Sequence, residues 1–133
     1  MKIVIVGNSI KEREYIVNNI PNRFNIAYKP TYCVTKEERI TECYRRINRC
    51  DVLIVLSKNK KYEPITLCAL VHAQEINKYI IKVDITSPNL PLLNNLLRIR
   101  EIILNEYSAN NNSDNTINNS INPDMYSSLY DIQ

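Results

Sequence analysis

Apolar residues recur along this chain in two alternating rhythms. Lys2-Ile3-Val4-Ile5-Val6 is a short β-rich run that stops at Gly7. Ser9-Ile10-Lys11-Glu12 then matches the S-x-x-E capping box that opens helices. An apolar stripe of Ile10, Val17 and Ile20 follows, with Ile16 beside it, and Pro21 closes it. The pattern predicts strand, tight turn, helix. Phe24 to Tyr28 reads as a second strand, ended by Pro30. Thr35-Lys36-Glu37-Glu38 is a second capping box, and Ile40, Cys43, Ile47 and Cys50 follow at helical spacing. Asp51 introduces Val52 to Leu56, a continuous apolar run of the kind found in a strand buried on both faces. Ser57 to Lys61 is a polar loop. A helix is expected over about Thr66 to Asn77, a strand over Tyr79 to Val83, a turn at Ser87-Pro88, and a last helix over Leu90 to Leu104.

Strands alternate with helices, and the central strands are apolar throughout. That combination predicts an α/β fold with a small doubly wound parallel sheet of about four to five strands, covered by helices as a flavodoxin- or Rossmann-like three-layer structure. Right-handed crossovers leave few topologies. The second strand is expected at one edge, with the first and third adjacent. Residues 1–104 form the expected domain. From Asn105 onward the composition shifts: residues 105–133 hold eight asparagines and few apolar residues. This asparagine-rich C-terminal tail reads as disordered, or as an arm in which Met125-Tyr126, Leu129-Tyr130 and Ile132 dock on a neighbouring subunit.

Composition narrows the function classes. The chain has 133 residues, 44% hydrophobic and 23% charged, which suits one soluble domain. Its single glycine, Gly7, excludes the P-loop and the dinucleotide fingerprint, both of which need several. No apolar run approaches the roughly 20 residues that span a bilayer, and the apolar start is too short for a signal peptide. A cytoplasmic protein without a membrane partner is expected. Cys33, Cys43, Cys50 and Cys68 form no CxxC pair and meet only one histidine, so buried reduced thiols are expected and no metal site. All 17 Lys and Arg fall within residues 1–104 with 10 of the 14 acids, an excess of seven positive charges. A basic body favours an anionic ligand such as a nucleotide, although part of the excess belongs to a solvated helix face. Arg45, Arg46 and Arg49 lack aromatic interleaving, so nucleic acid is not the expected partner.

Ligands of open parallel sheets bind beyond the carboxyl ends of the strands, where strand order reverses. Here that means the loops after the first and third strands. Gly7-Asn8-Ser9 combines close backbone approach with a helix N-terminus, which suits phosphate or a ribose hydroxyl; its plainer reading is a turn and a cap. Ser57 to Lys61 carries three lysines that either meet a phosphate or are simply solvated. Near the next helix start lie Glu63, Thr66, His72 and Glu75. Glu63 is either a site carboxylate or a helix-entry acid. A lone His72 within Leu70-Val71-His72-Ala73 fits a structural role better than a catalytic one.

These residues resemble the nucleoside 2-deoxyribosyltransferase superfamily, which includes N-glycosidases of deoxynucleotides. The family segment has a helix ending in Ile-x-x-x-Asp, a buried strand, a variable loop, and a helix reading T-x-x-E-x-x-x-A with Gly-Lys four residues on. Ile47-Asn48-Arg49-Cys50-Asp51 leads here into Val52 to Leu56, and Thr66 to Ala73 falls in register with the second helix. Asn77-Lys78 replaces Gly-Lys, and Val6-Gly7-Asn8-Ser9-Ile10 is similar to the family's first loop. The resemblance covers residues 1–83.

One departure matters. The family's nucleophilic glutamate falls at Ala69, and a methyl group can neither attack carbon nor polarise water. What the resemblance implies is therefore a deoxyribosyltransferase-like protein acting on the N-glycosidic bond of a nucleoside or nucleotide, inactive as it stands. An engineered inactive variant fits, because a glutamate three residues after Thr66 would complete a capping box. A natural pseudoenzyme that binds or sequesters a signalling nucleotide also fits, as does an unrelated flavodoxin-like interaction domain. Under the family reading, Gly7, Asn8 and Ser9 hold sugar or phosphate, Ser57, Glu63 and Thr66 line the pocket, and Glu63 is a weak substitute carboxylate. The family also implies no cofactor and a homo-oligomer in which a neighbour's Tyr126 region completes the site.

Overall fold

The computed structural model describes residues 1–113 and 130–132. Five strands form one all-parallel sheet: β1 (Lys2–Val6), β2 (Asn25–Ala27), β3 (Val52–Ser57), β4 (Ile80–Asp84) and β5 (Tyr130–Ile132), in the order β2-β1-β3-β4-β5. The helices are α1 (Ile10–Asn18), α2 (Lys36–Arg49), α3 (Pro64–Glu75) and α4 (Leu90–Ser113). The fold is the expected doubly wound α/β structure, with β2 at an edge and β1 beside β3.

Side chains of each strand alternate between two cores, as the pleat requires. Ile3, Ile5, Val52, Ile54, Leu56, Ile81 and Val83 face α1 and α4, which contribute Ile16, Leu93 and Leu97. Val4, Leu53, Val55 and Ile80 face α2 and α3, which contribute Ile47, Ala69, Leu70 and Ala73. Every residue of β3 is buried, which is why its sequence does not alternate.

Two helix boundaries and one cap differ from the sequence reading in ways that have a clear physical cause. Helix α3 begins two residues earlier, at Pro64, because proline at the first helical position has the right φ and lacks only an N–H that would be unpaired anyway. Helix α4 runs past Leu104 to Ser113. Asparagine lowers helix propensity by only about 0.7 kcal/mol per residue, and no Gly or Pro follows before Pro123. The Thr35 capping box is half formed: the Thr35 hydroxyl accepts from Glu38 N–H, but the Glu38 carboxylate takes Val34 N–H instead of the cap's own. Of the stretch expected as tail or arm, Tyr130–Ile132 pairs with β4 of its own sheet. No helix among the described residues is long and apolar enough to cross a membrane.

Candidate functional site

A cleft of about 500 Å3 opens beyond the carboxyl end of β1, on the α2–α3 side of the sheet. Its floor is Val4 to Asn8. One wall is the start of α3 (Glu63, Ile65, Thr66), and the other is the β2–α2 connection with one face of α2. The order reverses between β1 and β3, where α1 and α3 leave adjacent strands for opposite faces and part the layers.

Gly7 shapes the floor. Its φ is +108°, and a Cβ would stand 2.6 Å from the Leu56 carbonyl oxygen. Asn8 follows at φ 56°, a left-handed conformation that asparagine tolerates. Its side-chain amide donates to the Ser57 carbonyl, tying the β1–α1 loop to the end of β3. The Arg13 guanidinium donates to the carbonyls of Gly7 (3.1 Å), Asn8 (2.7 Å) and Tyr28 (2.8 Å). It thereby joins the β1–α1 loop to the end of β2. Burial pushes its pKa below the ordinary arginine value, and the charge of Glu63 opposes that shift.

Ser9 is committed elsewhere. Its N–H and hydroxyl both donate to the Glu12 carboxylate, at 3.2 and 2.9 Å, and its hydroxyl oxygen accepts from Glu12 N–H. The capping box is complete, and Ser9 faces a second depression with Glu12, Lys58 and Lys61.

Thr66 is the unusual member. It is 1% exposed, it lines the cleft, and its hydroxyl has no hydrogen-bond partner among the described residues. A buried unpaired hydroxyl costs about 1–3 kcal/mol, so the site carries a standing demand for a polar partner. Thr66 lies inside α3 and does not cap it; the cap position is Glu63, whose side chain makes no capping bond. A glutamate at position 69 would therefore complete no capping box. Glu63 lines both depressions. Ala69 is 1% exposed and packs with Leu53, Val55 and Ile47 beneath the cleft, without lining it.

Ser57 does not line the cleft. Its hydroxyl donates to Asp84 Oδ2, a residue the sequence did not single out. Asp84 also accepts from the backbone N–H groups of Lys60 and Thr86. Asn59 and Lys60 both have positive φ, 52° and 63°, and Lys58 bridges Lys61 across them. The buried carboxylate thus holds a tight turn that a lysine adopts only under strain. Burial would raise the Asp84 pKa, but the bonds from Thr86, Lys60 and Ser57 outweigh it and hold the carboxyl below its usual value. A depressed carboxylate contributes stability above its unfolded pKa of about 4, and that contribution is lost as pH falls through the folded value. Asp84→Ala is expected to cost about 2 kcal/mol at neutral pH. It should flatten the loss of stability below about pH 4. Urea melts across pH test this, and an unchanged acid limb would refute it.

The second wall was missed. Arg39, Glu42, Cys43 and Arg46 line it at i, i+3, i+4 and i+7 of α2. A charged stripe on a helix reads as a solvent face, and only its adjacency to the apolar stripe through Ile40 and Ile47 hinted otherwise. Arg46 donates to the Lys29 carbonyl at 2.7 Å and to the Thr31 hydroxyl, pinning the β2–α2 loop over the cleft. Burial pushes the Cys43 thiol up, and the charge of Arg46 opposes that shift. Cys50 alone of the four cysteines is buried, Cys33 and Cys43 are half-buried, and Cys68 is exposed, against the expectation of four buried thiols. His72 lies away from the cleft, stacked on Tyr44 at 4.1 Å and bonded to Asn48 at 2.7 Å. Tyr126 lies outside the described residues. No family model, curated protein or solved structure matches the chain.

Proposed function

We propose that the cleft binds a nucleoside or nucleotide by its sugar, and that with Ala69 the chain holds this ligand without breaking its N-glycosidic bond. The observation that carries this reading is Thr66, a residue of the cleft wall whose buried hydroxyl is unpartnered among the described residues. A sugar hydroxyl or ring oxygen is the kind of partner it lacks. The surroundings suit such a ligand: apolar β1 side chains and Ile65 for the flat parts, Glu63 for a hydroxyl, and Arg39 for negative charge. The position of the cleft at the end of β1 is the usual one for ligands of parallel sheets.

Position 69 supports the resemblance to the N-glycosidases in a second way. Residues 66 and 69 are three apart on α3 and share one helix face. Helical side chains lean toward the N-terminus, so a glutamate at 69 would bring its carboxylate toward the Thr66 hydroxyl and the cleft. The unpaired hydroxyl is what the absence of such a carboxylate would leave behind.

Titration calorimetry with the common 2′-deoxynucleosides and their 5′-monophosphates tests the binding claim, using this chain and Thr66→Val. The variant is expected to gain about 1 kcal/mol of stability, because it removes an orphaned polar atom from a buried site without changing its volume. It should also bind the ligand about tenfold more weakly. Opposite signs on stability and affinity are the signature of a hydroxyl reserved for a ligand. No binding by either protein, or a stability loss with unchanged affinity, would sink the proposal.

A further inference from the structure

We infer that the cleft reads its ligand as a phosphate ester, with the phosphate against Arg39 and Lys29 at the β2–α2 end, and not over the start of α1. This rests on the nucleotide reading above and specifies where the charge is recognised.

The start of α1 is already supplied with an anion. The Glu12 carboxylate takes the Ser9 N–H and hydroxyl, and Lys58 stands 3.9 Å from its other oxygen. The carbonyls of Gly7 and Asn8 are turned toward Arg13. A phosphate placed there would meet a carboxylate whose favourable partners are all engaged, and like charges in a partly buried site repel strongly.

The opposite wall has the reverse balance. Arg13 is committed to three carbonyls and sits in the field of Glu63. Arg46 holds the loop and lies 3.8 Å from Glu42, whose other oxygen takes Arg45 at 3.0 Å. Arg13, Lys29 and Arg39 make no ion pair among the described residues, and with the Arg13 guanidinium taken by its three carbonyls, Arg39 and Lys29 are the cleft-lining cations left to meet an anion. Arg39 brings a planar fork of donors that matches phosphate, and Lys29 adds a second charge. The Thr66 hydroxyl on the facing wall then takes the sugar. A ligand with a sugar and a phosphate monoester satisfies both walls, whereas a free nucleoside leaves Arg39 unanswered.

Calorimetry on this chain, Arg39→Gln and Lys58→Gln decides the matter, each with a 2′-deoxynucleoside and its 5′-monophosphate. This chain should bind the monophosphate about thirtyfold more tightly than the nucleoside. Arg39→Gln should cut that ratio to about threefold or less. Lys58→Gln should keep the full ratio. A ratio that survives Arg39→Gln, or collapses in Lys58→Gln, overturns the inference and returns the phosphate to the α1 end. Equal affinity for nucleoside and monophosphate overturns it while leaving sugar recognition standing. If neither ligand binds, the nucleotide reading and this inference fall together. Arg39 is exposed, so its variant is expected to fold normally.

Discussion

Replacing Gly7 with alanine is expected to cost about 3 kcal/mol of stability. Two separate penalties meet at this residue. Its φ of +108° lies where side-chain-bearing residues rarely go, and the added Cβ would stand 2.6 Å from the Leu56 carbonyl oxygen and 3.2 Å from the Leu56 Cβ. The neighbour cannot yield, because Leu56 is fully buried in β3, the central strand of the sheet. Relief must come from the β1–α1 loop, whose carbonyls at Gly7 and Asn8 anchor Arg13. The variant should therefore lose ligand affinity as well as stability. Urea denaturation measures the first and calorimetry the second. A stability change under about 1 kcal/mol would show that the loop relaxes without strain, contrary to the geometry.

Replacing Ala69 with glutamate is expected to give the largest functional change: release of free base from a deoxynucleotide, which this chain should not catalyse. The carboxylate would attack the anomeric carbon, the glycosidic bond to the base would break, and water would then hydrolyse the glycosyl ester. The substitution has a structural cost. Ala69 packs against Leu53 and Val55 in the α3–sheet core, where an unpaired carboxylate is destabilising by about 3 kcal/mol or more. Leaning toward Thr66 and the cleft reduces that cost. Base release is followed by chromatography, with Ala69→Gln as a control of the same shape that lacks a nucleophile. Release by the glutamate variant alone supports the N-glycosidase ancestry. Release by both, or by neither in a variant shown to be folded, removes the glycosidase claim and leaves a binding protein.

Much of the fold was legible in the sequence. Its signals are local or periodic. The apolar run Val52 to Leu56 read as a strand covered on both faces, and Ser9-x-x-Glu12 announced a helix start; both form as expected. Alternation of strands and helices, with the handedness of crossovers, then placed β1 beside β3 and β2 at the edge. Gly7 was legible as a close-approach residue because it is the single glycine in the chain.

The chemistry of the site depended on contacts that no local pattern encodes. Thr66 reads in sequence like the start of a helix, but Pro64 begins α3 first, and the hydroxyl is left buried in the cleft wall. Ser57 reads as a pocket residue, yet it bonds Asp84, 27 residues away, and the two together hold the strained turn at Asn59-Lys60. Arg39 and Arg46 read as a solvated face until the β2–α2 loop folds over them. Periodicity determines which side of an element meets the core, because that is decided within a few residues along one chain segment. Which polar groups are answered and which are left waiting is decided between segments, and only the assembled tertiary structure settles it.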